Sequence, residues 1–170
     1  MNGLAENRLY LGDSLELLRK LPSGSVDLVL TDPPYNIGKA GWDRIDGYTG
    51  WSLRWMQEYE ALKQEYEALR YPHHCDPNHR NLLRIDTVGS ADARRIHICQ
   101  KPFDLLRRLI RVSSNPGALV LDPFAGSGST LIAAIQEGRR YIGFERDETT
   151  YRTALDWLTT ERAQTRLEGV

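Results

Sequence analysis

The sequence predicts an α/β fold in which a doubly wound parallel sheet carries helices on both faces. Short apolar segments typical of strands alternate along the 170 residues with longer segments typical of helices, and this alternation favours a parallel sheet. In addition, a glycine-rich turn at residues 123–128 joins an apolar segment to a helical one, as at the ligand sites of such sheets.

Each predicted strand is a short apolar run next to turn residues. The four strands are expected at residues 8–11, 26–31, 118–122 and 141–145. The second is nearly all apolar, which is typical of a strand with neighbours on both sides.

A helical stretch follows each strand. Helices are expected at residues 14–21, 51–70, 103–113, 129–137 and 148–162. The stretch at 103–113 has an apolar stripe, and the stretch at 129–137 begins with Ser129 and Thr130. The stretch at 51–70 contains a tandem seven-residue repeat, which favours one long amphipathic helix over a coiled coil because it lasts too few heptads.

The composition fits one domain over residues 1–170. A hydrophobic content of 41% suffices for one core, and no apolar run approaches the length of a membrane span. No signal-like stretch opens the chain, so a cytoplasmic location is expected. Neither Cys75 nor Cys99 shows metal or disulfide spacing. His73, His74, Cys75 and His79 lack the further ligands that would define a zinc site, so no metal is expected.

The charge distribution gives a local rather than a global signal for nucleic acid. The net charge is −1, but residues 84–111 contain seven Arg or Lys side chains against three Asp side chains. Such a segment could contact phosphates. A solvated helix face explains most of these arginines, and a phosphate role is expected only for Arg94 or Arg95.

An acid–proline turn, Asp32-Pro33-Pro34-Tyr35, closes the second strand. The prolines fix their own φ, so the turn is stiff before any ligand arrives. Asp32 can accept a hydrogen bond from an exocyclic amine while Tyr35 stacks on the ring. An ordinary turn after a strand is the alternative, and this segment alone does not decide between them.

The glycine turn predicts a nucleotide-type site. Gly126 and Gly128 let backbone approach a ligand, and free N–H groups at the start of the next helix face it. The spacing is not the dinucleotide fingerprint, because Leu131 stands where a third glycine belongs. Glu145 ends the following strand, where a carboxylate can bind ribose hydroxyls; a surface acid is the alternative.

Five motifs, in this order, resemble those of the S-adenosylmethionine-dependent amino-methyltransferases of DNA, in the permuted group whose catalytic motif precedes the cofactor loop. They are Gly12-Asp13-Ser14, residues 31–36, Gln100-Lys101-Pro102, residues 122–130 and residues 138–143. The resemblance implies a Rossmann-like methyltransferase fold with strands ordered, by first residue, 8, 141, 118, 26.

The resemblance also implies roles for individual residues. The expected catalytic group, which would hold the target base, is Asp32, Pro33, Pro34 and Tyr35. For S-adenosylmethionine, Asp13 would contact the adenine, Glu145 the ribose and Lys101 the carboxylate. Phe124 and the glycines would contact its methionine end. The cofactor-binding set is Asp13, Asp32, Lys101, Asp122, Phe124, Gly126, Gly128, Ser129, Thr130 and Glu145.

The expected reaction is methyl transfer to an exocyclic amine of a DNA base, with adenine N6 favoured because the cytosine enzymes more often have Ser at the position of Asp32. Hydrogen bonds from the amine to Asp32 and to the Pro33 carbonyl would localise the nitrogen lone pair, so orientation and electrostatics suffice without a strong base. The base must be flipped out of the duplex, and Tyr35 would replace its lost stacking.

The interval at residues 44–100 is short for this family, which usually has three further strands and a DNA-reading region there. The sheet is therefore expected to be truncated, with an open apolar edge at residues 26–31 that invites a second copy or a recognition partner. Two alternatives stay open: a cofactor-binding remnant without activity, and an amino-methyltransferase acting on cytosine, RNA or a protein amide.

Overall fold

The computed structural model describes residues 4–34, 36, 44–67 and 101–167, with the backbone alone for residues 59–67 and 166–167. The elements in chain order are β1 (Arg8–Leu11), α1 (Ser14–Leu18), β2 (Leu28–Val29), α2 (Tyr48–Glu67), α3 (Phe103–Ser113), β3 (Leu119–Asp122), α4 (Ser129–Gln136), β4 (Arg140–Glu145) and α5 (Glu148–Leu167). The candidate zinc ligands His73, His74, Cys75 and His79, together with Cys99, Arg94 and Arg95, lie outside the described residues.

The four strands form one parallel sheet in the order β1-β4-β3-β2. This order confirms the predicted one. Arg8 lies opposite Ile142, Leu119 opposite Arg140 and Leu28 opposite Val120. Because all strands run in the same direction, their four carboxyl ends meet at one edge of the sheet.

Apolar side chains fill the space on both faces of the sheet, as the α/β prediction requires. On one face Ile110 of α3, Leu131 of α4 and Leu158 of α5 pack with strand residues such as Val120. On the other face Leu17 and Leu18 of α1 pack against inward residues of the central strands, which are Leu119, Leu121, Ile142 and Phe144. The sheet is thus covered by three helices on one side and by α1 on the other.

The strand β2 is shorter than the predicted 26–31 segment. Its pairing with β3 extends by hydrogen bonds from Asp27 N–H to the Leu119 carbonyl and from Leu30 N–H to the Leu121 carbonyl, both at 3.0 Å. Pro33 and Pro34, three and four residues beyond Leu30, have no N–H with which to continue the strand. In the part of the chain that the structure describes, β2 is an edge strand. Association through this edge stays a prediction.

Within the described residues, the helix boundaries differ from the predicted ones by more than one residue at three places, and α4 ends one residue early, at Gln136. α2 begins at Tyr48 rather than at residue 51, because the Gly47 carbonyl accepts the first helical hydrogen bond, from Trp51 N–H at 3.0 Å. α1 ends at Leu18, where tighter turns continue the chain to Leu21. α5 runs to Leu167, past the predicted end at 162. α3 has the predicted bounds.

Glycine at position 143 permits the close packing of α4 on β4. A Cβ atom there would lie 2.5 Å from Leu131 Cδ1, a distance that real Cβ atoms essentially never show, and 3.0 Å from Leu9 Cδ1, which is tighter than most real Cβ contacts. Leu131 occupies the position at which the dinucleotide fingerprint has its third glycine. In the dinucleotide fingerprint the third glycine gives the helix room to pack on the strand, and here Gly143 on β4 provides that room instead.

The arginines of α3 contact the protein itself. Arg107 Nε donates to Glu137 Oε1 at 2.7 Å, and Arg111 binds both oxygens of the same carboxylate. The guanidinium of Arg111 lowers the pKa of Glu137. These contacts join α3 to the end of α4.

Among the described residues, no helix is long and apolar enough to cross a membrane, and no group of three or more His, Cys, Asp or Glu side chains is placed to hold a metal ion.

Replacing Gly143 with Ala should destabilise the fold. The added methyl group meets Leu131 and Leu9 in a packed core, and overpacking of this kind costs about 1–3 kcal/mol. The measurement is the free energy of unfolding in denaturant. Gly50→Ala is the matched control, because Gly50 lies in α2 with nothing within 4 Å of its added Cβ. That change should stabilise the helix by up to about 1 kcal/mol. A Gly143→Ala protein as stable as the wild type would contradict the packing argument.

Candidate active site

The carboxyl edge of the sheet brings together four chain segments from distant parts of the sequence. Leu11 lies opposite Glu145 and Asp122 lies opposite Gly143, so the ends of β1, β3 and β4 are in register. The Gly12 N–H donates to the Glu145 carbonyl at 2.9 Å and continues this pairing. The acid–proline turn follows β2 at the same edge.

The turn from β3 to α4 has left-handed backbone at both of its glycines. Gly126 has φ 51° and Gly128 has φ 80°, values that side chains rarely adopt. Among the described residues, a Cβ on Gly126 would meet only the Phe124 carbonyl oxygen, at 4.0 Å, whereas a Cβ on Gly128 would lie 3.4 Å from Cβ of Ala154 in α5. The described part of the chain therefore leaves open space at Gly126, and Gly128 lies against a neighbouring helix.

Asp122 is a buried carboxyl group beneath this turn, with 3% of its surface exposed. One of its oxygens accepts a hydrogen bond from Phe124 N–H at 3.1 Å. Burial raises the pKa of Asp122 to about 6, although hydrogen bonding with Thr130 and with Phe124 opposes the rise. The negative charge of Asp32 raises this pKa further, so the two turns are close enough for their carboxyl groups to interact.

The hydroxyl groups of Thr130 and Thr31 lie near this carboxyl group, and both stabilise its charged form. Thr130 is 6% exposed, and Ser129 beside it in the chain is equally buried. The Thr31 hydroxyl is buried and lies beyond ordinary hydrogen-bond geometry from any acceptor among the described residues, so its effect on Asp122 is that of a long contact. Of these side chains, the resemblance anticipated Ser129 and Thr130, but it gave no role to Thr31.

Glu145 holds the glycine turn from the end of β4. Its Oε2 accepts a hydrogen bond from Gly126 N–H at 3.0 Å, and its Oε1 accepts one from Asp147 N–H at 2.8 Å. Burial raises the pKa of this carboxyl group, and the backbone hydrogen bonds oppose that rise. A carboxylate has about four lone-pair positions, so Glu145 keeps the capacity to accept further hydroxyl groups.

Asp13 caps the first helix. One oxygen of its carboxylate accepts hydrogen bonds from the N–H groups of Leu15 at 2.9 Å and Glu16 at 3.3 Å. The residue before it, Gly12, is bonded to Glu145, so Asp13 lies beside the end of β4. The structure thus places Asp13 at the same sheet edge as the glycine turn.

Asp32 and Lys101 form an ion pair. Lys101 Nζ lies 2.6 Å from Asp32 Oδ2, and the two side chains are 45% and 36% exposed. Lys101 stands immediately before Pro102, the residue that precedes α3. The resemblance assigned Lys101 to the carboxylate of a ligand, whereas the structure pairs it with the expected catalytic acid. Tyr35 lies outside the described residues.

An aromatic cluster at the start of α2 joins the two turns, and the sequence analysis did not anticipate it. Trp51 and Trp55 each meet the Phe124 ring edge-on, with centroids 5.5 Å apart. Tyr48 stacks on Trp51 at 5.9 Å, and its hydroxyl donates to the Pro34 carbonyl at 3.0 Å. The spacing of aromatic residues at 48, 51 and 55 marks one face of a helix, and this was the signal available in the sequence.

Comparison with known proteins identifies a family model described as DNA methylase (N6_N4_Mtase), which matches residues 62–156, more than half of the chain. The matched segment contains Lys101, the glycine turn and Glu145, and it begins after the acid–proline turn.

Two curated relatives are similar over most of their length. The DNA adenine methyltransferase YhdJ of Escherichia coli (strain K12) is 59% identical over 225 residues, which cover 79% of this chain and 76% of that protein. The type II methyltransferase M1.MboII of Moraxella bovis is 50% identical over 235 residues, which cover 81% of this chain and 90% of that protein. Both alignments exceed the 170 residues of the chain, so these relatives have positions without a counterpart in it.

Solved structures share the fold. The PvuII DNA methyltransferase, named as cytosine-N4-specific, superposes with a TM-score of 0.67 at 17% identity, over 96% of this chain and 93% of that one. The M1.HpyAVI–SAM complex superposes with a TM-score of 0.57 at 22% identity, over 89% and 98% of the two chains. The α/β fold predicted from the sequence is confirmed.

Asp122 should make stability depend on pH. The pKa of its carboxyl group in the folded state, about 6, exceeds the ordinary 3.8. The folded protein therefore binds the proton more tightly, and this group lowers stability as pH rises from about 4 to about 6. Since Asn does not titrate, Asp122→Asn should gain about 3 kcal/mol relative to the wild type between pH 4 and pH 7.

Denaturant unfolding of both proteins at several pH values measures this difference. Asp147→Asn is a control of opposite sign. Hydrogen bonds from Thr150 lower the pKa of Asp147, so it stabilises the fold above its ordinary pKa and this contribution is lost as pH falls. The Asp147→Asn variant should be less stable than the wild type at neutral pH, and the difference in free energy of unfolding should shrink as the pH falls. A difference for Asp122→Asn that does not change with pH would refute the assignment.

Proposed function

The chain belongs to the DNA methylase family, and we propose that it transfers a methyl group from S-adenosylmethionine to N6 of adenine in DNA. One observation supports this proposal above the others. The acid–proline turn and the glycine turn, about ninety residues apart in sequence, follow the neighbouring strands β2 and β3 at one edge of the sheet, where Leu30 N–H donates to the Leu121 carbonyl at 3.0 Å. An amine held at the first turn would therefore lie beside a cofactor held at the second.

The residues of the glycine turn fit this cofactor. S-adenosylmethionine supplies the methyl group on a positively charged sulfonium. The open space at Gly126 admits a ligand close to the backbone, and carboxyl groups at Asp32, Asp122 and Glu145 suit a cation. The proposed contacts are Phe124, Gly126 and Gly128 with the methionine end, Ser129, Thr130 and Asp122 beneath the turn, Glu145 with the ribose, Asp13 with the adenine and Lys101 with the carboxylate.

Lys101 pairs with Asp32 in the structure, but it is also the proposed partner of the cofactor carboxylate. A contact with the carboxylate of the cofactor requires this exposed side chain to turn away from Asp32. Exposed ion pairs contribute at most about 1 kcal/mol, so the exchange costs little.

The acid–proline turn would hold and orient the target base. Asp32 accepts a hydrogen bond from the exocyclic amine, and the Pro33 carbonyl accepts a second one. These bonds direct the nitrogen lone pair out of conjugation with the ring, so catalysis comes from orientation and electrostatics. Tyr35 would stack on the base once it has left the duplex.

Adenine is the proposed acceptor because Asp32 is present and because YhdJ, 59% identical, is named an adenine methyltransferase. The similarity to a type II methyltransferase supports a role in restriction and modification. DNA is accordingly the proposed partner, with recognition by a second copy or another protein proposed because the 44–100 region is short for the family.

A cofactor-binding protein without turnover is a second candidate, and the shortness of the 44–100 region for this family favours it. Titration with S-adenosylmethionine and an assay of methyl transfer to DNA separate the two candidates, because a remnant binds S-adenosylmethionine and leaves DNA unmethylated.

Gly126→Val should weaken the binding of S-adenosylmethionine by about tenfold or more, because a side chain enters the space at which the ligand meets the backbone. Calorimetric titration measures the affinity. Gly117→Val is the matched control: Gly117 has φ 77° and open space around it, but it lies before β3, away from the ligand edge. Both variants carry backbone strain of about 1–2 kcal/mol, and only the first should lose affinity. Equal affinities in the two folded variants would reject this binding site.

Asp32→Ala should reduce methyl transfer by about a hundredfold or more while leaving cofactor affinity far less affected, because the carboxylate acts on the amine. Transfer of labelled methyl groups to mixed DNA gives the rate, and digestion to nucleosides gives the methylated base. N6-methyladenine supports the proposal, and N4-methylcytosine overturns the choice of base. Undiminished turnover in the variant would exclude Asp32 from catalysis.

A further inference from the structure

One hydrogen bond joins the acid–proline turn to α2, and a second joins the residues just beyond each of them. The Tyr48 hydroxyl, in the first turn of α2, donates to the Pro34 carbonyl at 3.0 Å. The Asn36 side-chain oxygen, after the turn, accepts a hydrogen bond from Ile45 N–H, before the helix, also at 3.0 Å. A shift of the Pro34 carbonyl relative to α2 would therefore break the Tyr48 hydrogen bond.

The Tyr48 hydroxyl acts on a torsion that the proline rings leave free. The ring of Pro34 fixes φ, but ψ remains a soft dihedral. This ψ sets the direction of the Pro34 carbonyl, which the hydroxyl holds. The hydrogen bond therefore also determines the direction in which the chain continues beyond the prolines.

The same part of α2 contacts the glycine turn. Trp51 is 6% exposed and lies between two rings, with its centroid 5.9 Å from Tyr48 and 5.5 Å from Phe124. The stacked and edge-on geometries are those that aromatic pairs favour. A continuous series of contacts thus runs from Pro34 through Tyr48 and Trp51 to Phe124.

We propose that Tyr48 is a positioning residue, which fixes the acid–proline turn relative to the glycine turn through the Pro34 carbonyl and with Trp51 as its support. This inference rests on the proposed function, because the quantity it controls is the placement of the target amine against the bound methyl donor. A misplacement of about 1 Å between reacting groups costs about a hundredfold in rate. Loss of the hydroxyl should therefore lower kcat more than it lowers ligand affinity.

Tyr48→Phe tests the proposal, since it removes the hydroxyl and keeps the ring on Trp51. We expect kcat for methyl transfer to DNA to fall about tenfold, the effect of losing one hydrogen bond of about 1.4 kcal/mol. The affinity for S-adenosylmethionine should change by less than about twofold. Tyr10→Phe is the matched control, because the Tyr10 hydroxyl also donates to a backbone carbonyl, that of Ala5 at 2.9 Å, before the start of β1. It should leave kcat unchanged.

Hydrogen–deuterium exchange provides a second measurement that does not need turnover. The backbone amides of the four non-proline residues in the 31–36 segment should exchange several times faster in Tyr48→Phe than in the wild type or in Tyr10→Phe, while β3 keeps its protection in all three. Unchanged exchange in the turn, unchanged kcat in an active enzyme, or faster exchange throughout β3 would overturn the proposal. A wild-type chain that transfers no methyl group would defeat the proposed function, and the exchange measurement would still decide the role of Tyr48.

Discussion

Two carboxyl groups beneath the glycine turn are the constraint on which the rest of the site depends. Asp122 accepts a hydrogen bond from Phe124 N–H, and Glu145 accepts one from Gly126 N–H, so the turn is held at two points. Burial opposes the charge of both acids and raises both pKa values. Ionisation of these acids is therefore unfavourable at this position, and a cationic ligand would offset the cost of their charge.

The first turns of α2 connect this site to the acid–proline turn. Phe124 belongs to one turn and Pro34 to the other, and Trp51 and Tyr48 contact them in succession. In the parallel sheet, β2 and β3 already place the two turns side by side. The sheet thus determines which segments meet, and the aromatic contacts of α2 fix their relative position more finely.

The sequence was informative where structure follows from local patterns. Apolar runs predicted the four strands, and the stripe from Phe103 to Ile110 predicted α3, because such patterns depend on neighbouring residues. The strand order came from the family resemblance. The pair Leu131 and Gly143 could not be recognised, since a glycine on β4 compensates for a leucine on α4 only once the two elements pack. The ion pair of Lys101 with Asp32 and the contact of Tyr48 with Pro34 likewise depend on tertiary placement. The cofactor and base contacts themselves stay predictions.

The sheet order has a consequence for how the chain folds during synthesis. The strand β1 leaves the ribosome first, yet in the described sheet it pairs with β4 alone, with Arg8 opposite Ile142. In this sheet, its hydrogen-bonding edge toward β4 therefore has no partner until β4, about 130 residues later, has been translated. Contacts between residues so far apart in sequence form slowly, because the entropic cost of closing the loop must be met before the hydrogen bonds of strand pairing stabilise it. The nascent polypeptide consequently carries an unpaired strand while the residues between β1 and β4 are made, and completion of β4 is the event that allows the described sheet to form.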